Sequence, residues 1–193
     1  MKFVVIGADA AGMSAASRAK RNRPDLTVTV LEQTRDVSYS ACGMPYNIAD
    51  AHRDIEELVV RRAEVFRDKQ GIDLRTGHRA ERIDPAARTV DGTAADGSRF
   101  ELAYDRLLIA TGASPVVPDL PGFDRPEVAT LKNLADGRRV RQLLAGGRVR
   151  KAVVVGMGYI GLEMIEAFHR RGIEVSMVKP GGVFLPWLDE ALS

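Results

Sequence analysis

A chain of 193 residues that is 45% hydrophobic and 28% charged, with a net charge of +2, has the composition of an ordinary globular protein and too little positive charge to point to nucleic acid. No apolar run approaches the ~20 residues of a membrane span, and the opening run 3–6 ends too soon at Gly7 for a signal peptide, so a cytoplasmic protein is expected. The single cysteine, Cys42, excludes an internal disulfide, and His52, His78 and His169 are too scattered in sequence to suggest a metal site.

Taken in chain order, residues 3–6 form a short β-branched run that passes through Gly7-Ala8-Asp9-Ala10-Ala11-Gly12 into a helical pattern, and a second strand follows over 27–31. Helical spacing with charged faces is expected over 55–70. Short strands are expected over 72–90 and 100–104, with turns at Asp84-Pro85, Asp91-Gly92 and Asp96-Gly97. Residues 107–110 read as a buried strand ending at Thr111-Gly112. Four prolines (Pro115, Pro118, Pro121, Pro126) mark an extended crossover, and a helix over about 134–144 leads to Gly146-Gly147.

The opening pattern then returns. Residues 152–155 lead through Gly156-Met157-Gly158-Tyr159-Ile160-Gly161 into a second helix and a strand over 174–178, after which the chain passes Lys179-Pro180-Gly181-Gly182 and Trp187. The two β-α-β units point to an α/β protein. Its expected organisation is a three-layer, Rossmann-like nucleotide-binding domain over 1–113 with a β-meander insertion, a crossover over 114–147, and the beginning of a second Rossmann-like domain over 148–193. A lone β-α-β unit cannot cover both faces of a parallel sheet, so the chain is expected to be one piece of a longer protein.

The chemistry of a glycine turn at a helix start is specific. Free N–H groups and the helix dipole favour a pyrophosphate there, and glycine lets the backbone approach it. The first turn has Gly7 and Gly12, with Asp9 at the middle position, where a carboxylate beside a pyrophosphate is awkward unless it points away. Glu32 lies about 20 residues after Gly12, where an acid can accept from a ribose; an ordinary tight turn would look the same. The second turn is complete at Gly156, Gly158 and Gly161. At its acidic position stands Lys179, which suits a 2′-phosphate and hence NADPH, or is simply a solvated strand end. Cys42 follows small residues and precedes an expected helix start. Cysteines at helix starts are the kind that react as thiolates, although a lone cysteine is more commonly a small core residue.

Two such turns, Ala110-Thr111-Gly112 between them, and Ser38-Tyr39-x-x-Cys42-Gly43-Met44-Pro45-Tyr46 resemble the pyridine nucleotide-disulfide oxidoreductase family over the whole chain, and within it the single-cysteine branch. The branch with a Cys-x4-Cys pair is ruled out because Asn47 stands five residues after Cys42. The resemblance implies FAD at the first unit through Gly7, Ala10, Ala11, Gly12, Glu32 and Gln33, with Ala80 near the adenine and Thr111-Gly112 close by. It implies NADPH or NADH at the second through Gly156, Gly158, Ile160 and Gly161, with Tyr159 covering the flavin until nicotinamide displaces it, Glu163 near the flavin, and Lys179 in place of the acid as suits NADPH-using reductases. No metal is implied. Cys42 would carry the redox chemistry on sulfur.

Within the branch, oxidases and peroxidases typically carry a histidine in the first glycine turn, where this chain has Ala10. Ser14, Arg18, Arg21, Ser38 and Lys69 match positions that hold the phosphates of coenzyme A in coenzyme A-disulfide reductases, whereas Ala41 replaces an asparagine found in some of them. The expectation is therefore reduction of coenzyme A disulfide or a coenzyme A persulfide, by a full-length parent that is a homodimer. The alternatives are an NADH oxidase or peroxidase, an inactive nucleotide-binding piece for the isolated chain, and an electron-transfer reductase for a protein partner.

Overall fold

A computed structural model describes residues 1–179 together with 181 and 189; Pro180, Gly182 and Trp187 lie outside the described residues. The chain divides into two compact units, Met1–Ser40 with Val59–Ser114, and Ala41–Leu58 with Pro115–Ser193. Residues 41–58, which carry Cys42, thus belong to the second unit although they sit inside the first in sequence.

The first unit is built on β1 (Lys2–Ile6), α1 (Ala10–Asn22), β2 (Thr27–Glu32), β3 (Asp73–Thr76), a meander of β4 (Arg79–Asp84), β5 (Thr89–Thr93) and β6 (Arg99–Ala103), and β7 (Arg106–Ile109). Its parallel sheet has the order β3-β2-β1-β7, with Val5 opposite Val30 on one side and Leu108 on the other. Alternation along the strands sends two apolar sets to opposite faces. Val5, Val28 and Val30 pack with Met13 and Ala16 of α1. Val4, Ile6 and Leu31 pack with Val90 and, around it, Ile83, Phe100 and Leu102 of the meander. The result is a helix, sheet and meander in three layers, with cover on both faces of the central strands, as a parallel sheet requires.

Three expectations need correction. The strand at 107–110 is observed as β7, an edge strand with only β1 beside it among the described strands, and Ile109 is 60% exposed rather than buried. Asp91-Gly92 is not a turn but the middle of β5. A side chain at Gly92 would collide with the carbonyl of Arg79, beside the register shift between Ala80 and Arg82, so the glycine marks a close strand approach. Residues 55–70 do not form one helix. A 3-10 turn covers Ile55–Leu58 and a π-helical turn covers Val65–Lys69. Between them Val59 bridges Tyr39, and the amides of Val60 and Arg61 donate to the Ser38 carbonyl at 2.9 and 3.3 Å, which takes them out of any helix.

The second unit contains α2 (Met44–Ala49), α3 (Leu134–Leu144), β8 (Lys151–Val155), α4 (Tyr159–Arg170) and β9 (Glu174–Val178), with β8 and β9 paired in parallel. The start of α3 is fixed by a cap: Asn133 accepts from the Asp136 amide at 2.9 Å, while Asp136 accepts from the Lys132 amide at 2.8 Å. Ile48 of α2, Val140 and Leu144 of α3, and Met164 and Ala167 of α4 form its core with Ile173. Gly137 lets α3 come close, since a Cβ there would lie 2.5 Å from Ile55 Cδ1. Val153 and Val155 of β8 are exposed. No described helix is long and apolar enough to cross a membrane.

Leu31 is 1% exposed and sits where the sheet meets the meander. Leu31→Ala is expected to lower unfolding free energy by about 2–5 kcal/mol, read from urea denaturation of the full-length protein.

Candidate functional site

The first glycine turn is shaped by two near-collisions. Gly7 has φ +104°, and a side chain there would strike the carbonyl of Ala110; a side chain at Gly12 would strike the carbonyl of Gly7. Both positions therefore exclude a Cβ, and α1 can start close against the end of β1. Ala10 and Ala11, both exposed, form the first turn of α1, where the backbone amides have no intrahelical acceptor. This is a cradle a pyrophosphate fits. Asp9 does not obstruct it. It makes no side-chain cap on α1, and its Oδ1 accepts instead from the Tyr39 amide at 3.2 Å.

Glu32 closes the side of this turn. Its Oε2 accepts from the Ala8 amide at 3.0 Å, and its Oε1 accepts from the amide and hydroxyl of Thr34 at 2.8 and 2.9 Å. The carboxylate is held in place at the end of β2, beside exposed Gln33. Ala80 of β4 packs against the cluster of Val4, Ile6, Leu31 and Val90. Thr111 and Gly112, exposed, follow β7 directly.

The second turn repeats the geometry. Gly156 has φ +108°, and a side chain at Gly161 would strike the carbonyl of Gly156. Gly158 is the N-cap of α4, and neither it nor Gly156 has an atom of the described residues within 4 Å of where its Cβ would lie, so those residues leave the approach to this helix start open. Tyr159 and Ile160 are 71% and 56% exposed. Glu163, one turn on, lines a crevice with Tyr46, Ala49, Glu166 and Arg170. Lys179 follows β9 and is half-buried.

Cys42 is exposed, in a single 3-10 turn, Ala41–Gly43, that runs straight into α2. Among the described residues no group of three or more His, Cys, Asp or Glu side chains is placed to hold a metal ion.

Ser14, Arg18 and Arg21 are all exposed on α1, four and three residues apart, and so form one stripe of the helix. Lys69 is exposed at the end of the π-helical turn. Ser38 is half-buried at φ +48°, a left-handed conformation that costs a non-glycine residue of order 1–3 kcal/mol. Its amide donates to the Ala8 carbonyl at 2.9 Å, and its carbonyl receives Val60 and Arg61. The bracket of Asp9, Ser38 and Tyr39 had no signal in the sequence beyond the misfit of an acid in a glycine turn. Arg61, exposed and with its amide on the Ser38 carbonyl, was likewise not singled out by any motif. The Arg61 guanidinium lies 5.5 Å from the centre of the Phe66 ring.

Residues 1–193 match the family described as pyridine nucleotide-disulphide oxidoreductase. An NAD(P)H sulfur oxidoreductase (CoA-dependent) of Pyrococcus abyssi is 42% identical over 92% of the chain, and an NADH oxidase of Methanocaldococcus jannaschii is 31% identical over 96%. The chain spans 39% and 42% of the lengths of these two proteins. The solved structure of an NAD-dependent persulfide reductase from A. fulgidus superposes with a TM-score of 0.93 at 36% identity, covering 100% of this chain and 36% of that one.

A methyl group at residue 12 has no space in the first turn. Gly12→Ala in the full-length protein is expected to cut retained flavin at least about tenfold, read as the ratio of visible to ultraviolet absorbance after gel filtration. Gly97→Asn, in an open turn where a Cβ meets nothing within 4 Å, should keep it.

Proposed function

From the premise that the chain belongs to the pyridine nucleotide-disulphide oxidoreductase family, we propose that it carries the nucleotide turns and the redox sulfur of an FAD-dependent NAD(P)H:disulfide oxidoreductase, acting on coenzyme A disulfide or a coenzyme A persulfide. The observation that carries this reading is Cys42, the sole cysteine of the sequence, exposed in a short turn at the head of a helix. A P. abyssi relative named as a CoA-dependent sulfur oxidoreductase and an A. fulgidus neighbour named as a persulfide reductase support the choice of substrate.

In this reading Gly7, Ala10, Ala11 and Gly12 present backbone amides to the FAD pyrophosphate, and Glu32, braced by Ala8 and Thr34, accepts from the ribose. Gln33, Ala80, Thr111 and Gly112 line the remainder. Gly156, Gly158, Ile160 and Gly161 take the pyrophosphate of NAD(P)H, with Tyr159 as the cover that nicotinamide displaces from the flavin and Glu163 near the flavin. Lys179 pairs with a 2′-phosphate, which favours NADPH over NADH. FAD, when bound, supplies the passage of two electrons from NAD(P)H to sulfur.

The chain's own chemistry is nucleophilic. Ser14, Arg18, Arg21, Ser38 and Lys69 hold the coenzyme phosphates by charge and hydrogen bonds. The Cys42 thiolate attacks one sulfur of the disulfide, so that a Cys42–coenzyme A disulfide forms and one coenzyme A thiolate leaves. Two electrons and a proton then release the second coenzyme A as thiol and restore the Cys42 thiolate. The sum consumes one disulfide, one NAD(P)H and one proton, and gives two thiols and one NAD(P)⁺. With a persulfide, the products are one coenzyme A thiol and hydrogen sulfide. A cytoplasmic location and a homodimer of the full-length protein belong to the same reading.

The second reading is an NADH oxidase, favoured by the M. jannaschii relative. Ala10 speaks against it, because its methyl group offers no proton to an oxygen species at the first turn.

Anaerobic titration with NADPH tests the assignment of Cys42. After treatment with coenzyme A disulfide and gel filtration, which leaves Cys42 as the mixed disulfide, the native full-length protein should take up a second reducing equivalent that Cys42→Ser does not; equal uptake by both would leave a simple flavin reductase. Arg18→Ala should raise the KM for coenzyme A disulfide about tenfold, the worth of one charge-assisted contact, with kcat little changed.

A further inference from the structure

The helix that follows Cys42 is too short to hold itself. α2 has six residues, and isolated helices of that length do not persist in water. Its apolar side is buried through Met44, Pro45 and Ile48. Its C-terminal carbonyls, which no helical amide can reach, are taken by two arginines from elsewhere in the same unit. Arg141 of α3 donates through Nη1 to the Asn47 carbonyl at 2.6 Å, to Asn47 Oδ1 at 3.0 Å and to the Asp50 carbonyl at 3.0 Å, and through Nη2 to the Ala51 carbonyl at 3.1 Å. Arg171, just past α4, donates to the Ile48 carbonyl at 3.1 Å. Asn47 itself is fully buried, and its Nδ2 donates to the Asp54 carbonyl at 2.8 Å.

One guanidinium therefore fixes the far end of a helix whose near end continues the 3-10 turn that carries the sulfur, five residues before Asn47. Its fork geometry is what lets it meet several carbonyls at once, and its positive charge suits a helix C-terminus. Arg138, three residues earlier on α3, meets a side chain instead: it donates to the Glu56 carboxylate through Nε at 2.6 Å and Nη2 at 3.1 Å.

We infer that Arg141 is a positioning residue for Cys42, acting through Asn47 and the end of α2, and thereby sets the rate of sulfur chemistry without touching substrate or cofactor. The inference rests on the proposed role of Cys42. Its consequence is a separation of two activities. Reduction of coenzyme A disulfide needs a correctly placed sulfur, whereas reduction of ferricyanide by NADPH draws electrons from the flavin and needs no thiol.

The test compares full-length, flavin-loaded Arg141→Met, Arg141→Lys, Arg138→Met and Cys42→Ser proteins in both assays. For Arg141→Met, disulfide kcat should fall at least about tenfold, with KM and ferricyanide turnover within about twofold of native, since misplacement by an ångström slows a reaction that far. Arg141→Lys, which can meet fewer carbonyls, should lie between, and it decides the matter by the same pattern if Arg141→Met fails to fold. Arg138→Met should match native in both assays. A parallel fall in both activities, or no fall in either, overturns the inference. Disulfide turnover surviving in Cys42→Ser would instead overturn the role of Cys42 itself.

Discussion

The carbonyl of Gly7 occupies the space that any side chain at residue 12 would need, and the carbonyl of Gly156 does the same to residue 161. This steric constraint brings a helix start up against a strand end twice in one chain. Because α1 can approach β1 so closely, its first-turn amides face outward beside Ala10 and Ala11, and Glu32 at the end of β2 can reach back to the Ala8 amide. The parallel order β3-β2-β1-β7 and the meander on its second face then hold the turn on a rigid base. At the second turn the same geometry stands in front of Gly158, with open space where the first turn has Asp9.

The loop at Ser38-Tyr39 and the turn at Cys42 follow a different logic, in which each is held, within its own unit, by polar contacts from distant parts of the chain. Ser38 is kept left-handed by hydrogen bonds to Ala8, Val60 and Arg61, and Tyr39 is kept by Asp9. A strained residue held on several sides is the kind of feature found where a ligand must be met by fixed groups. Cys42 lies in the other unit, in a turn whose helix is secured by Arg141, Arg171 and Asn47. The residue five positions after the cysteine is thus a buried structural partner of Arg141, which gives Asn47 a role of its own.

Much of the fold was legible because its signals are local. β-branched runs bounded by glycine gave β1, β8 and both turns, and the span 134–144 was read correctly because the Asn133–Asp136 cap and the apolar spacing of α3 lie within a few residues of one another. What failed had the same local sequence but a distant cause. Asp91-Gly92 has the composition of a turn, yet its glycine answers to the Arg79 carbonyl on the neighbouring strand. Residues 55–70 have helical spacing, yet the Ser38 carbonyl captures two of their amides. The contact between Arg141 and Asn47 joins positions 94 residues apart, and nothing in either neighbourhood announces it. Ser14, Arg18 and Arg21 were legible through the family resemblance, with the spacing of the two arginines putting them on one helix face; Arg61 was not, because only the fold brings its amide to Ser38.

The central claim is that Cys42 exchanges with a coenzyme A disulfide and is then freed by electrons from NAD(P)H. Intact mass measurement of the full-length, flavin-loaded protein after brief exposure to coenzyme A disulfide tests it most directly. The native protein should gain the mass of one coenzyme A per chain at Cys42, Cys42→Ser should gain none, and the adduct should be lost on adding NADPH anaerobically. A native protein that gains no adduct, or one whose adduct survives NADPH, would contradict it.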